Sequence, residues 1–191
     1  MIYLSCFNEY IMLMKTIFSR SIATFLLMVL SAGLMAQTQT AAIGTKVKQT
    51  KVCDPSNNPV ELPYFGQKNL MIFYVDPDHA NQNSEFVAEL EENQVKSDKI
   101  YGFGIVNLKD APLLPNSIVR MMVRKKVKKT GAAIYTDPDH MLRDAWGLGD
   151  VNDQFVLLLI AKDGTIEFMS KGELSKSQIE EFYRVVDKLK K

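Results

Sequence analysis

Three β-compatible runs alternating with helical patterns constrain this chain more than any other feature. LMIFYV (residues 70–75) is a continuous apolar run of the kind found in strands buried on both faces. YGFGIVNL (101–108) and AAIYT (132–136) have the same strand composition. Between the first two, residues 84–95 set Phe86, Val87 and Leu90 on one side and Glu85, Glu89, Glu91 and Glu92 elsewhere, a helical spacing. Between the second and third, PNSIVRMMVRKKVKK opens with helix-entry chemistry at Pro115, Asn116 and Ser117. It then repeats Ile118, Met122 and Val119, Val123, Val127 by fours, which reads as the apolar side of one amphipathic helix. Strands joined by helical crossovers run parallel.

The flanking segments complete the pattern. GTKVKQTKVCDPSNNPVELPYF has two strand-like runs around a turn with Asn57 and Asn58 at its tip, an N-terminal β-hairpin. After the third run, Met141, Leu142, Ala145 and Trp146 space as a short helix ended by Gly147 and Gly149, with Trp146 read as core. FVLLLIA and TIEFMS then flank Lys162-Asp163-Gly164, a strong hairpin signal. Ser175-Lys176-Ser177-Gln178 has the capping-box form, and Ile179, Phe182, Tyr183, Val186 and Leu189 follow at helical spacing. The expected fold class is α/β: an α/β/α sandwich with an N-terminal β-hairpin and a mixed central sheet.

The N-terminus carries a different kind of signal. Lys15 to Arg20 is a short basic stretch, and SIATFLLMVLSAGLMA supplies an apolar core closed by small residues, the pattern of a secretory signal peptide over residues 1–36. Met14 is the more natural initiator. The apolar stretch is short for a stable span, and no cysteine follows it closely enough for a lipid anchor, so the expectation is a soluble exported protein, periplasmic if the source is Gram-negative. Residues 37–191 then form one domain, and their formal charge is zero. No global field draws them to nucleic acid. Cys53 is their only cysteine, which rules out an internal disulfide within that stretch.

VELPYFGQKNLMIFYV, IYTDPDHMLRDAWGL and FVLLLIAKDGTIEFMSKGEL together resemble the thioredoxin-like superfamily, in particular its peroxiredoxin-like and exported thiol-reductase-like members. The resemblance covers nearly all of residues 37–191. In that superfamily a CxxC pair or a peroxidatic cysteine follows the first core strand, where this chain reads DPDHANQN. A cis-proline typically precedes the final hairpin, where this chain reads Gly149-Asp150-Val151-Asn152-Asp153-Gln154. Without a thiolate at that place there is no nucleophile for a disulfide or peroxide. Among exported members the chain is most similar to the YtfJ-like group, which also lacks the redox pair. The resemblance implies a fold and a location, and no cofactor.

Three features are candidates for function. Both histidines of the chain lie in identical tetrapeptides, Asp76-Pro77-Asp78-His79 and Asp137-Pro138-Asp139-His140, each ending a core strand. If the first and third parallel strands flank the second, the two turns lie about 10 Å apart at the ligand-binding edge of the sheet. Their carboxylates and imidazoles would suit a divalent cation or a polar ligand. The plainer reading is that the aspartates cap helix starts and the prolines fit the first helical turn. Cys53, read as lying away from that edge, is a candidate nucleophile for a thiol-dependent oxidoreductase or peroxidase with an external reductant, or else an inert thiol. Arg120, Arg124, Lys125, Lys126, Lys128 and Lys129 form a basic cluster in which Arg120, Arg124 and Lys128 draw a stripe; Arg120, Arg124, Lys125 and Lys128 are the candidate surface for an acidic partner or anionic lipid, or else part of a solvated face. The reading that follows is a non-catalytic binding or interaction module, its partner another exported protein or a small polar ligand, with peripheral membrane contact through the basic helix.

Overall fold

The computed structural model describes residues 40–92, 97–111 and 114–191. The signal-peptide reading falls on residues 1–36, outside the described residues. The chain begins with the hairpin β1 (Lys51–Cys53) and β2 (Pro59–Glu61), then runs through β3 (Asn69–Val75) and a single 3-10 turn at Pro77–His79. It continues through α1 (Ser84–Glu92), β4 (Ile100–Asn107), α2 (Asn116–Thr130), β5 (Ile134–Asp137) and α3 (Met141–Trp146), and closes with β6 (Phe155–Ile160), β7 (Ile166–Lys171) and α4 (Lys176–Leu189). The seven strands form one mixed sheet in the order β2-β1-β5-β4-β3-β6-β7. β3, β4 and β5 are parallel, while β6, β7 and the N-terminal hairpin are antiparallel additions.

The apolar runs do what their composition demands. Along β3, Leu70, Ile72 and Tyr74 point to one face and Met71, Phe73 and Val75 to the other, and both sets are packed. β6 is buried along its whole length. On one face the β3 set joins Phe103, Ile105, Val156, Leu158 and the α3 residues Leu142 and Trp146. On the opposite face Leu157, Leu159 and Phe168 pack against Phe86 and Leu90 of α1 and Phe182, Val185 and Val186 of α4. The Phe86 and Phe182 rings meet edge to face at 5.3 Å, a geometry that adds to area burial.

Local sequence sets the ends of these elements. Ser175 accepts the Gln178 backbone N–H while the Gln178 side chain returns to the Ser175 N–H, closing the capping box at α4. At the β6–β7 turn, Asp163 accepts the Thr165 N–H and Gly164 adopts φ +87°. A Cβ at Gly164 would sit 2.7 Å from the Val47 carbonyl, because the segment at Lys46 and Val47 lies directly against this hairpin. Trp146 is buried and donates its indole N–H to the Lys48 carbonyl at 2.8 Å, so it is core.

Two expectations change. The third core strand starts two residues later than AAIYT suggests and takes in Asp137. The apolar side expected for α2 is divided, with Val119 and Val123 buried but Ile118 and Met122 exposed. The spacing by fours is shared by two different faces of the helix, and only tertiary contact with β5 decides which one is covered.

Candidate functional site

β3 and β5 flank β4, so both DPDH turns leave the same, carboxyl edge of the parallel strands. Asp76 follows the last residue of β3 and is fully buried. One of its carboxylate oxygens accepts the Asp78 N–H and the other the Asp153 N–H, both at 2.9 Å. The first bond caps the 3-10 turn; the second ties β3 to the loop entering β6. Pro77 fits the opening of such a turn, where its missing N–H is no loss.

Asp137 plays a related part with more donors. Its Oδ1 accepts the Met141 N–H at 2.6 Å, and its Oδ2 accepts the N–H groups of Leu142 and Arg143 and the phenol of Tyr74. A single carboxylate thus gathers the free N–H groups of the first turn of α3, where both hydrogen bonding and the helix dipole favour a negative charge. Burial pushes the Asp137 carboxyl up, and the donated hydrogen bonds only partly offset it. Burial and the adjacent Asp137 likewise hold the Tyr74 phenol far above its ordinary value, so it stays a neutral donor.

The two histidines part company. His79 is half exposed, with Nδ1 3.2 Å from Asp153. The His140 ring is nearly buried, with Nε2 2.7 Å from Asp110 Oδ2. Asp110 follows β4 and also accepts from the Asn107 amide at 2.8 Å, so the ends of β4 and β5 are joined through Asn107, Asp110 and His140. Burial pushes the Asp110 carboxyl up, but the hydrogen bonds from Asn107 and His140 and the charges of His140 and Arg143 outweigh it and leave it below its ordinary value. His140 reaches this contact from a left-handed backbone, φ +58°. Of the residues singled out in the sequence, Asp78, His79 and Asp139 remain exposed to solvent, and each histidine meets its own carboxylate. Among the described residues no group of three or more His, Cys, Asp or Glu side chains is placed to hold a metal ion.

Sequence reasoning missed Asp110, Asn107 and Tyr74. Asn107 stood at the end of a recognised strand, but nothing local to Asp110 indicates that His140 turns toward it. It also misplaced Cys53. β1 pairs antiparallel with β5, so Cys53 sits opposite Thr136 at the carboxyl edge. The thiol is buried, and that burial together with Asp137, Asp54 and Asp139 raises its pKa against the weaker influence of Arg120. A raised thiol pKa means little thiolate at neutral pH. Beside it, the Thr136 hydroxyl is the one buried side-chain polar atom among the described residues that lacks a hydrogen-bond partner.

The basic stripe is divided too. Arg120 donates to the Asn57 side chain and Arg124 to the Pro55 carbonyl, docking α2 on the turn of the N-terminal hairpin. Lys125 and Lys128 stay exposed.

A parallel β3-β4-β5 core, an antiparallel β6–β7 hairpin and helices on both faces define a thioredoxin-like α/β fold. The chain belongs to the family of bacterial proteins of unknown function described as YtfJ_HI0045, whose model matches residues 77–190. It is similar in structure to the pneumococcal exposed lipoprotein thioredoxin of Streptococcus pneumoniae, with TM-score 0.53 and 12% identity over 74% of this chain and 100% of that one. A putative thioredoxin from Neisseria meningitidis gives TM-score 0.52 and 20% identity over 75% and 91% of the two chains. A peroxiredoxin-like protein from Aquifex aeolicus gives 0.53 and 10% over 79% and 87%. At these identities the likeness establishes the fold alone. No curated relative matches the sequence.

Proposed function

We propose that this chain is an exported thioredoxin-fold binding module that carries out neither thiol-disulfide exchange nor peroxide reduction. The observation that carries this reading is the use of the polar groups at the carboxyl edge. Both oxygens of Asp76 and of Asp137 are taken by backbone N–H groups, His140 is committed to Asp110, and the Cys53 thiol is buried with a raised pKa. The bound carboxylates hold strand ends and helix starts together, and a buried thiol with a raised pKa is a poor nucleophile toward a disulfide or peroxide. What the edge offers to solvent is Asp78, His79 and Asp139, which suit an exported protein or a small polar ligand with cationic groups. Export rests on the basic-then-apolar pattern of residues 15–36.

The competing reading, an oxidoreductase working through Cys53 with an external reductant, is separable by assay. Insulin disulfide reduction and peroxide consumption are measured with the wild type and with Cys53→Ser. Rates indistinguishable from the protein-free control in both support the non-catalytic reading. Turnover that Cys53→Ser abolishes overturns it.

A further inference from the structure

The surface of α2 carries an arrangement that the carboxyl edge does not explain. Four of the exposed large apolar side chains among the described residues belong to this one region: Leu114 just before the helix, and Ile118, Met121 and Met122 on it, at 41, 39, 41 and 54% exposure. Residues three and four apart share a helix face, so Ile118, Met121 and Met122 form one patch, and Lys125 and Lys129 continue the same line toward the C-terminus. This patch is separate from the buried side at Val119 and Val123. The helix sequence NSIVRMMVRKKVKKT contains no carboxylate.

The division of labour among its cations is informative. Arg120 and Arg124, whose planar forks suit directional recognition, are spent inside the molecule on Asn57 and Pro55. Lys125, Lys126, Lys128 and Lys129 are all exposed, and none forms an ion pair with a described residue. The face presented to solvent therefore combines flexible apolar side chains with lysine point charges on long stems that can rise to an interface. Apolar insertion with non-directional positive charge is the requirement of an anionic bilayer surface. Protein–protein interfaces are depleted in lysine, so the four exposed lysines bordering the apolar patch favour the bilayer.

We infer that α2 is a lipid-docking element: Ile118, Met121 and Met122 enter the headgroup boundary of an anionic membrane while Lys125, Lys128 and Lys129 hold its phosphates. The inference does not depend on what the carboxyl edge does, so a Cys53-dependent turnover would overturn the function proposed above and leave this one standing.

The test is co-flotation of the full chain with vesicles of mixed phosphatidylglycerol and phosphatidylcholine, and with phosphatidylcholine alone. The wild type binds the mixed vesicles and loses affinity as salt rises. Lys125→Glu/Lys128→Glu/Lys129→Glu binds roughly a hundredfold more weakly, given the contribution of each lysine near an anionic surface. Met121→Ser/Met122→Ser binds about tenfold more weakly. All the altered side chains are exposed, so an unchanged melting temperature verifies that both variants are folded. Equal binding by all three proteins, or equal binding to phosphatidylcholine alone, would assign membrane affinity to the apolar stretch of residues 21–36 and sink the inference. Absence of vesicle binding by the wild type would overturn it in favour of an acidic protein partner.

Discussion

The hydroxyl of Tyr74, on β3, donates to the carboxylate of Asp137, on β5, at 3.2 Å across the intervening strand β4. The same carboxylate accepts three backbone N–H groups of α3, so one side chain ties two strands and a helix.

Removing it should leave several buried donors unsatisfied at once. Asp137→Ala is expected to cost about 3 kcal/mol or more, and Tyr74→Phe about 1 kcal/mol, because the phenylalanine removes the donor and leaves the carboxylate its N–H partners. Urea unfolding of the two variants measures both. An Asp137→Ala no less stable than Tyr74→Phe would show that the cap is dispensable.

The carboxyl of Asp110 makes stability depend on pH in a defined direction. Its folded pKa lies below the ordinary value, so the unfolded chain binds the proton more readily. The stabilisation is fully present above a pH of about 4 and is lost as pH falls through the lowered folded value. Melting temperature followed from pH 7 downward should therefore fall less steeply in Asp110→Asn than in the wild type below that point. Parallel profiles would mean that Asn107 and His140 do not hold the charged form.

Cys53 should be slow toward thiol reagents. Burial and three neighbouring carboxylates raise its pKa, and both access and thiolate fraction fall together. Alkylation by iodoacetamide at pH 7, read by mass at Cys53, is expected on the order of a hundredfold slower in the native protein than in denaturant. Equal rates would place the thiol in an open, reactive site.

The two faces of α2 should respond differently to truncation. Val123→Ala removes buried methyl groups and is expected to cost about 1 kcal/mol or more, whereas Met122→Ala should change stability by less than about 0.5 kcal/mol. Thermal or urea unfolding distinguishes them, and equal losses would contradict the division of the helix into a covered and an open side.

Separate carboxylate partners for His79 and His140 give a further expectation. Zn²⁺, Mn²⁺ and Ca²⁺ should shift the melting temperature of the wild type and of His79→Ala/His140→Ala by the same amount. A shift seen in the wild type and lost in the double variant would restore a shared histidine site.

Much of the fold was legible because its signals are local or periodic. The β3 run, the Asp163-Gly164 turn and the Ser175 capping box each announce an element within a few residues, and alternation of strands with helices orders the parallel core. Other features depend on contacts distant in sequence. Cys53 looked remote from the edge because nothing near it reveals an antiparallel pairing with Thr136. Asp110 gained significance only once His140, beyond the end of β5, was found turned toward it. Ile118 and Val119 are equally apolar, and no spacing rule tells which of them a neighbouring strand will cover.

At position 140 the main chain and the side chain ask for different amino acids. The left-handed backbone there disfavours any residue with a Cβ by roughly 1 to 2 kcal/mol, and glycine would relieve it, yet glycine has no ring with which to reach Asp110. With histidine there, the link from β5 to the end of β4 is made despite local backbone strain. His140→Gly and His140→Ala both cut the link, and since only the first relaxes the backbone, the difference between them isolates the strain.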